Sequence, residues 1–358
     1  MHTSTRFRPK AWHLALALAT CAPSIAFAQV TTNPPPAVPN APPVTIEHIK
    51  VHAPTIEGNL EGESADRDVL VVLPPSYAKA SKRRYPVVYA LHGYSIGAEQ
   101  WSKEIHLVDA SAGAFAKGAK EMILVLPDSK TVHNGSMYSR SVTTGDFETF
   151  ISRDLITYID GHYRTIADRQ SRGLAGHSMG GYGTARIGMK HPDMFGAIYM
   201  MSPCCLSARA AGPTDPQAAA TLEALKSPAE SANLPFMLRA QLAAAAAWSP
   251  NPKAPPLYLD LPTKNGVAQP DVLAKWAANA PLAFVDQYIG NLKRYSAIAI
   301  DVGDQDGLKV DAAKLHQILD DYGVANSFTI YSGTHTSNVA TRVQEFVLPF
   351  FSQHLKSK

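Results

Sequence analysis

The chain of 358 residues has few cysteines, and they are poorly placed for cross-links. Of the three, Cys21 lies near the N terminus, and Cys204 and Cys205 are neighbours. Adjacent cysteines close only a strained and rare ring. We therefore expect no structural disulfide and interpret Cys204 and Cys205 as small packing residues rather than as a redox pair.

A charge excess of one sign is also lacking beyond the N terminus. The formal charge of +3 comes entirely from Arg6, Arg8 and Lys10, because the chain from residue 29 onwards carries 30 basic and 30 acidic side chains. Without a basic patch or a run of like charge, no nucleic-acid partner is predicted. Hydrophobic residues make up 46% and charged residues 18% of the chain, which is typical of a globular protein with a sizeable core.

Long apolar runs are absent after the first 28 residues, which are themselves typical of a secretory signal. The basic residues Arg6, Arg8 and Lys10 come first and are followed by the apolar stretch "AWHLALALATCAPSIAFA". A small-x-small cleavage site, Ala26-Phe27-Ala28, ends that stretch. We expect cleavage after Ala28 and a secreted or periplasmic protein without stable membrane insertion. A membrane anchor is an alternative, but Pro23 interrupts the run, which is short for a span. A lipoprotein acylated at Cys21 is another, although Thr20 fits that motif poorly.

Residues 29–43, which include "TTNPPPAVPNAPP", are predicted to form a proline-rich, extended and solvated linker. From residue 44 the sequence alternates strands with helices, which predicts an α/β fold whose mainly parallel central sheet is covered by helices on both faces. The predicted strands are "VTIEHIKVHAP", at an edge of the sheet, "DVLVVLPP", "YPVVYALHG", "EMILVLPDS", "RGLAG", "FGAIYMMSP", "YSAIAIDVG" and "NSFTIYSG". The predicted helices include "DFETFISRDLITYIDGHY", "DAAKLHQILDDYG" and "SNVATRVQEFVLPFFSQHL".

Residues 206–290 interrupt this alternation with an Ala- and Pro-rich helical segment. We interpret it as an insertion between two core strands, lying over the carboxyl edge of the sheet, where loops of such folds shape binding sites. A decoration that only covers the core is the alternative. Trp248, Tyr258 and Trp276 could stack on an aromatic or sugar substrate, but each is interpreted as a core or cover residue.

The stretch "GLAGHSMGGYGTARIGM" at residues 173–189 carries the G-x-S-x-G pattern from Gly176 to Gly180. An apolar strand precedes the pattern and a helix-compatible run follows it, which is the context of a nucleophile elbow. The two glycines let the strand and the helix approach closely. Ser178 is therefore the predicted nucleophile, and the side chain of His177 should be turned aside by its backbone position.

A serine hydroxyl needs a base, and the base needs a carboxylate that orients it. In this class of fold the chain order is Ser, acid, His. His335, in "YSGTHTSN", follows the last predicted strand and is the predicted base. Asp306 is the favoured acid because Gly303-x-x-Asp306 matches the usual acid loop of such hydrolases, with Asp304 as the second candidate. The N–H groups of Met179 and Tyr94 are predicted to form the oxyanion hole.

At these residues the sequence resembles the esterase D / putative esterase family of the α/β-hydrolase fold. That family includes feruloyl esterases, S-formylglutathione hydrolases, enterochelin esterases and antigen 85 mycolyltransferases. The similar segments are "YPVVYALHGY", "GDFETFISRDLITYIDGHYRT", "GLAGHSMGGYGTARIGMKHPDMFGAIYMMSP", "IDVGDQDGL" and "YSGTHTSN". The resemblance makes residues 44–358 a catalytic domain and implies Ser178, His335 and Asp306 as its triad.

The resemblance also implies cleavage of an ester or thioester through an acyl-enzyme, without a cofactor. The residues agree, since no His/Cys/Asp cluster has metal-ligand spacing and no glycine-rich phosphate loop follows a first strand. We expect a serine carboxylic ester hydrolase acting on a small-molecule or polysaccharide-linked ester, such as a feruloyl or acetyl ester. An acyltransferase of the antigen 85 type would use the same triad. A thioesterase is disfavoured by the leader, and a catalytically dead binding protein by the presence of all three triad residues.

Overall fold

The computed structural model of the chain describes residues 32–208 and 215–357. The predicted leader and its cleavage site lie outside the described residues. Within the described ranges, none of the helices combines the length and the apolar character needed to cross a bilayer.

The central sheet has eight strands in the order β1-β2-β4-β3-β5-β6-β7-β8. The strands are β1 Thr45–His52, β2 Asp66–Leu73, β3 Val87–Leu91, β4 Ile123–Pro127, β5 Arg172–His177, β6 Ala197–Met201, β7 Ala297–Gly303 and β8 Ser327–Tyr331. Strand β2 is antiparallel to both of its neighbours. The six strands that follow it in the sheet, β4, β3, β5, β6, β7 and β8, are parallel to one another. The predicted α/β fold with a mainly parallel sheet is confirmed, and β1 forms an edge as expected.

Helices cover both faces of the sheet. They include α1 Ala98–Glu104, α2 Leu107–Ala116, α3 at residues 147–162, α4 Met179–Lys190, α8 Lys309–Asp321 and α9 at residues 339–354, whereas α5 Pro216–Glu223, α6 Phe236–Trp248 and α7 Pro270–Ala278 lie between β6 and β7 in the sequence. Both α3 and α9 contain a π-helical turn, at Phe150–Asp154 and Val343–Val347. Neighbouring residues of one strand point to opposite faces, so Val71 belongs to the apolar cluster that includes residues of α3 and α4, and Val72 to the cluster that includes residues of α1 and α9.

A buried ion cluster holds α3 against α4, the helix that follows the serine. Glu148 accepts hydrogen bonds from Arg186 Nε at 2.6 Å and from His191 Nε2 at 2.9 Å. Burial alone would raise the pKa of Glu148. The hydrogen bond from His191 and the charges of Arg186 and Lys190 outweigh burial and lower the pKa to about 2. The cluster therefore needs an ionised Glu148.

The proline-rich segment from residue 32 to residue 43 contains no helix or strand and has one turn, at residues 39–40. It nevertheless lies against the domain. The N–H of Asn33 donates to the carbonyl of Ser337 at 2.8 Å, and the side chain of Gln344 donates to the carbonyl of Pro36 at 2.8 Å. Pro35 is buried. The segment is thus less solvated than composition suggests, because its backbone N–H and carbonyl groups pair with Ser337, before α9, and with Gln344, in α9.

The helical insertion separates β6 from β7, as predicted, and contains α5, α6, α7 and a short antiparallel pair, Thr263–Lys264 with Val267–Ala268. Its small apolar core includes Leu222, Leu242 and Leu259. It is also joined to the main domain, since Ser141 Oγ donates to the carbonyl of Ala246 at 2.6 Å.

Candidate active site

Ser178 occupies a strained turn between β5 and α4. Its φ of +58° and ψ of −113° lie outside the usual regions for a residue with a side chain. Strained residues of this kind persist where surrounding contacts hold them. Here the carbonyl of Ser178 accepts the N–H groups of Tyr182 at 3.0 Å and Cys204 at 3.1 Å. The turn presents the hydroxyl at the carboxyl edge of the parallel strands.

Two glycines make this turn possible because three backbones meet there. A Cβ added to Gly176 would collide with the backbone of Gly180, the second residue of α4. A Cβ added to Gly180 would collide with the carbonyl of Leu91 at the end of β3. At both positions any other side chain would force the backbone to shift, for the reason that the sequence pattern suggested.

The structure brings Ser178, His335 and Asp306 into one hydrogen-bonded chain. His335 Nε2 lies 2.9 Å from Ser178 Oγ, and His335 Nδ1 lies 2.7 Å from Asp306 Oδ2. His335 is on the loop between β8 and α9, and Asp306 is on the loop after β7. An ionised Asp306 accepts a hydrogen bond from the Nδ1–H of His335, which leaves the lone pair of Nε2 facing the serine hydroxyl.

Asp306 is held as a carboxylate by its hydrogen bonds. Its side chain is 3% exposed, and burial by itself would raise its pKa. The hydrogen bond and charge of His335, together with the N–H of Leu308 at 2.9 Å, outweigh that effect and lower the pKa of Asp306 below its usual value. The acid therefore stays ionised at neutral pH and can fix the orientation of His335.

The other two aspartates of the same segment have different partners. Asp304 is exposed, and its Oδ1 accepts the N–H of Gly333 at 2.9 Å, so it supports the loop that carries His335. Asp301 is buried within β7 and pairs with Arg342 Nε at 2.8 Å. Of the two acids that the sequence left open, Asp306 is the one in contact with the histidine ring.

The loop after β3 lies directly beside the serine. An ideal Cβ built on Gly93 would be 3.5 Å from the Cβ of Ser178. Tyr94, which follows, lines the same cavity as Ser178 and Met179. Met179 is the first residue of α4, where an N–H has no acceptor within the helix. The two residues predicted to donate to an oxyanion thus flank the nucleophile.

His92 fixes this loop, a role that the sequence analysis missed. Its Nε2 accepts the N–H of Ser129 at 2.8 Å, so Nδ1 carries the proton and donates to the carbonyl of Gly93 at 2.8 Å. Burial lowers the pKa of His92, which keeps the ring neutral and in this tautomer. The sequence signal for this role was a histidine at the end of an apolar strand.

His177 was expected to turn aside, and its side chain in fact supports the catalytic histidine's loop. His177 Nε2 lies 2.8 Å from the carbonyl oxygen of His335, and the two ring centroids are 4.8 Å apart. Burial and the nearby His335 lower the pKa of His177 to about 3. The neutral ring donates from Nε2 and leaves its Nδ1 buried. The contact joins residues 158 positions apart, so the sequence could not reveal it.

A cavity of about 370 Å³ opens beside Ser178, within the range of small-molecule sites. Most of its wall is apolar and comes from the insertion and from the loops after β3 and β4. The lining side chains include Tyr94, Met137, Met179, Phe236, Met237, Ala240, Ala244, Trp248, Trp276 and Ala280.

Two of the three aromatic residues considered in the insertion belong to that wall. Trp248 and Trp276 pack edge to face with centroids 5.6 Å apart. Their indole N–H groups donate to Ser139 Oγ at 3.1 Å and Ser249 Oγ at 3.0 Å. With those donors satisfied, the two rings offer only apolar surface to the cavity. Trp248 also packs against the main core and Trp276 against the core of the insertion, so each lines the cavity while packing as the sequence analysis expected. Tyr258 is not among the lining side chains in the described part of the chain.

The model of the family described as putative esterase matches residues 63–344. The chain belongs to the putative esterase family. An esterase of Mycobacterium tuberculosis is 34% identical over 134 residues, which cover 36% of this chain and 27% of that protein. An endo-1,4-beta-xylanase/feruloyl esterase of Xylanibacter ruminicola is 33% identical over 136 residues, covering 37% of this chain and 19% of that one. The matches thus span about a quarter or less of these relatives.

Solved structures share the fold of this putative esterase over most of its length. A ferulic acid esterase has a TM-score of 0.62 at 24% identity and covers 87% of this chain and 99% of its own. A fluorophosphonate-binding serine hydrolase of Staphylococcus aureus has a TM-score of 0.58 at 17% identity, with the same coverage. At these identities the likeness establishes the α/β-hydrolase esterase fold.

Proposed function

We propose that this member of the family is a serine carboxylic ester hydrolase that works through an acyl-enzyme, with Ser178 as nucleophile, His335 as base and Asp306 as the orienting acid. The observation that carries the proposal is the unbroken hydrogen-bond chain from Ser178 Oγ through His335 to Asp306, at the wall of an apolar cavity. A nucleophile, its base and the orienting carboxylate in contact form the constellation of acyl transfer.

In the first half of the reaction, Ser178 Oγ attacks the ester carbonyl carbon as its proton passes to His335 Nε2. The N–H groups of Met179 and Tyr94 stabilise the oxyanion that develops. His335 then gives its proton to the alcohol oxygen, the C–O bond of the ester breaks, and the acyl group remains on Ser178. Asp306 stabilises the transient imidazolium through Nδ1.

The second half repeats these steps with water. His335 Nε2 takes a proton from the water molecule, whose oxygen attacks the acyl carbon. The second tetrahedral intermediate collapses, the proton returns to Ser178 Oγ, and the carboxylic acid leaves. An alcohol in the place of water would give acyl transfer by the same steps.

The cavity supports an acyl group with an apolar body, such as a feruloyl group, and also accommodates a smaller acetyl group. Its rings, among them Trp248, Trp276 and Phe236, offer flat apolar surface to an aromatic or aliphatic chain. The ester itself can be a small molecule or be linked to a polysaccharide. The proposed site of action is outside the cytoplasm, in the periplasm or the medium, on the basis of the leader motif of residues 1–28.

The test is hydrolysis of p-nitrophenyl acetate, butyrate and octanoate and of methyl ferulate by the wild type and by Ser178→Ala. The variant should lose a factor of about 10⁴ or more in kcat. Ser81→Ala, at an exposed serine, is the matched control and should leave kcat unchanged. A fluorophosphonate probe should label the wild type and the control but not Ser178→Ala.

Hydrolysis that survives in Ser178→Ala would overturn the mechanism. A wild type that takes the probe but turns over these esters only when glycerol or a sugar is added would show an acyltransferase instead. A preference for an acyl thioester over the matched oxygen ester would indicate a thioesterase.

A further inference from the structure

Cys204 and Cys205 stand together in the wall of the cavity. Their Sγ atoms are 2.6 Å apart, and both residues line the cavity with Ser178. Each is half-buried, so a small reagent in the cavity can reach it. The sequence interpretation of two small packing residues explains neither the contact between the sulfurs nor their position at the nucleophile.

The backbone explains why two consecutive side chains face the same way. In an extended chain, neighbouring side chains point to opposite faces. Cys205 has a φ of +58°, in the left-handed region that residues with side chains seldom adopt. Its neighbour is anchored, because the N–H of Cys204 donates to the carbonyl of Ser178 at 3.1 Å. The strained turn therefore brings the two sulfurs together on the cavity side.

We propose that Cys204 and Cys205 form a redox-sensitive dithiol that closes reversibly to a vicinal disulfide in the wall of the cavity. The oxidant is a low-molecular-weight disulfide. One protein thiolate attacks it, forms a mixed disulfide and releases one small thiol. The second thiolate then attacks the protein sulfur of the mixed disulfide and releases the other small thiol. Two electrons and two protons thus pass from the protein to the oxidant.

The pair is suited to reversible rather than structural bonding. A ring closed by adjacent cysteines is strained, and strained disulfides are the more readily reduced and the more often regulatory. This agrees with the expectation that the chain contains no structural disulfide. An extracytoplasmic location, itself a proposal above, would expose the pair to oxidising conditions.

The effect on turnover depends on the proposed function. Closing the ring pulls on Cys204, whose own N–H donates to the carbonyl of the nucleophile, and moves the wall that faces the acyl group. Large acyl groups must press against that wall, whereas an acetyl group does not fill the cavity. Oxidation should therefore lower kcat/KM for methyl ferulate by at least about threefold and change acetate turnover less.

The experiment uses the full chain carrying Cys21→Ser, so that Cys204 and Cys205 are its only thiols. The protein is incubated with glutathione disulfide and then with dithiothreitol. The expected results are a mass loss of roughly 2 Da, loss of both iodoacetamide sites, and their full recovery on reduction. Cys205→Ser should instead retain one glutathione as a mixed disulfide, because no neighbouring thiol can displace it.

The mass and labelling results do not depend on esterase activity, so they separate this proposal from the proposed function. If wild-type protein accumulates glutathione adducts or keeps both thiols, the vicinal disulfide is excluded. If the disulfide forms and the ratio of ferulate to acetate turnover stays constant in an active enzyme, the pair does not control the cavity. A disulfide in a protein inert towards all esters would leave the redox site standing and overturn the esterase proposal.

Discussion

Replacing Asp306 by asparagine gives a sharp test of the site because it preserves shape and removes charge. The carboxylate accepts from His335 Nδ1 at 2.7 Å through one oxygen and from the N–H of Leu308 at 2.9 Å through the other. An amide has only one oxygen. If that oxygen accepts from Leu308, the amide NH₂ faces Nδ1 and favours the tautomer with its proton on Nε2. That proton would face Ser178 Oγ, so His335 could no longer act as base.

The expected magnitude follows from this loss of the correct tautomer. In a serine protease triad, the equivalent change costs about 10⁴ in kcat, or about 5 kcal/mol of transition-state stabilisation. KM should change little, since Asp306 is not part of the cavity wall among the described residues. Asp304→Asn is the matched control. Its side-chain oxygen can still accept from Gly333, so kcat should stay within about threefold of the wild type.

The assay is steady-state hydrolysis of p-nitrophenyl acetate by the wild type and both variants, with thermal unfolding to establish that each is folded. The reasoning is refuted if folded Asp306→Asn keeps a tenth or more of the wild-type kcat. A large loss of kcat in Asp304→Asn with little loss in Asp306→Asn would show that Asp304, and not Asp306, is the acid.

Three further changes test the cavity, the elbow and the buried ion cluster. Trp276→Ala should lower kcat/KM for methyl ferulate by about tenfold or more while sparing acetate, because it removes apolar surface from the cavity wall. Gly180→Ala should destabilise the fold by about 1–3 kcal/mol or more in urea unfolding, since its Cβ meets the backbone of β3. Glu148→Gln should remove about 3 kcal/mol of acid-sensitive stability, because the pKa of Glu148 falls from about 4.5 to about 2 on folding.

The sign of the last effect is fixed by the direction of the pKa shift. A carboxyl group whose pKa is lowered by folding stabilises the protein above its unfolded pKa and loses that contribution as the pH falls through the folded pKa. Wild-type stability should therefore decline between about pH 4.5 and pH 2 more steeply than that of Glu148→Gln. Glu57→Gln, at an exposed site, should follow the wild type. Parallel curves for all three would contradict the shift.

The predictions for Gly180→Ala and Trp276→Ala each have a control variant. Gly290→Ala adds a Cβ in the short helix Ile289–Leu292 where no atom of another part of the chain lies within 4 Å. It should leave the protein as stable as the wild type or slightly more stable, and an equal effect of Gly180→Ala would contradict the steric argument. Trp101→Phe changes a buried tryptophan in the core on the α1 side of the sheet. If it shifts the ratio of ferulate to acetate turnover as much as Trp276→Ala does, the selectivity does not arise at the cavity.

Much of the fold was predictable because its signals are local. Strands such as β4 and β6 are buried along their whole length and appear in the sequence as continuous apolar runs, as strands of a covered parallel sheet should. The pattern around Ser178 was equally informative, since strand, glycine, serine, glycine and helix together describe one tight turn. The edge position of β1 followed from its alternating pattern.

Side chains that act through contacts between distant segments were harder to predict. His92 and His177 each support a loop of the site, but a histidine beside a motif has no distinctive spacing. The sequence also did not show that Trp248 and Trp276 line the cavity, because an Ala-rich helical segment shows which residues are apolar but not which of its faces meets the nucleophile.

The sequence by itself determined the order of strands and helices, the elbow at Ser178 and the candidates for base and acid, because periodicity and turn chemistry are properties of neighbouring residues. Only the tertiary structure decided which aspartate meets His335, which aromatic rings line the cavity, and that the sulfurs of Cys204 and Cys205 face it. Those outcomes depend on distances between segments that are separated in the sequence, such as those of Asp306 and His335, 29 positions apart, and on single backbone angles, such as the positive φ of Cys205. Composition and spacing do not encode such quantities locally; the packing of the whole chain sets them.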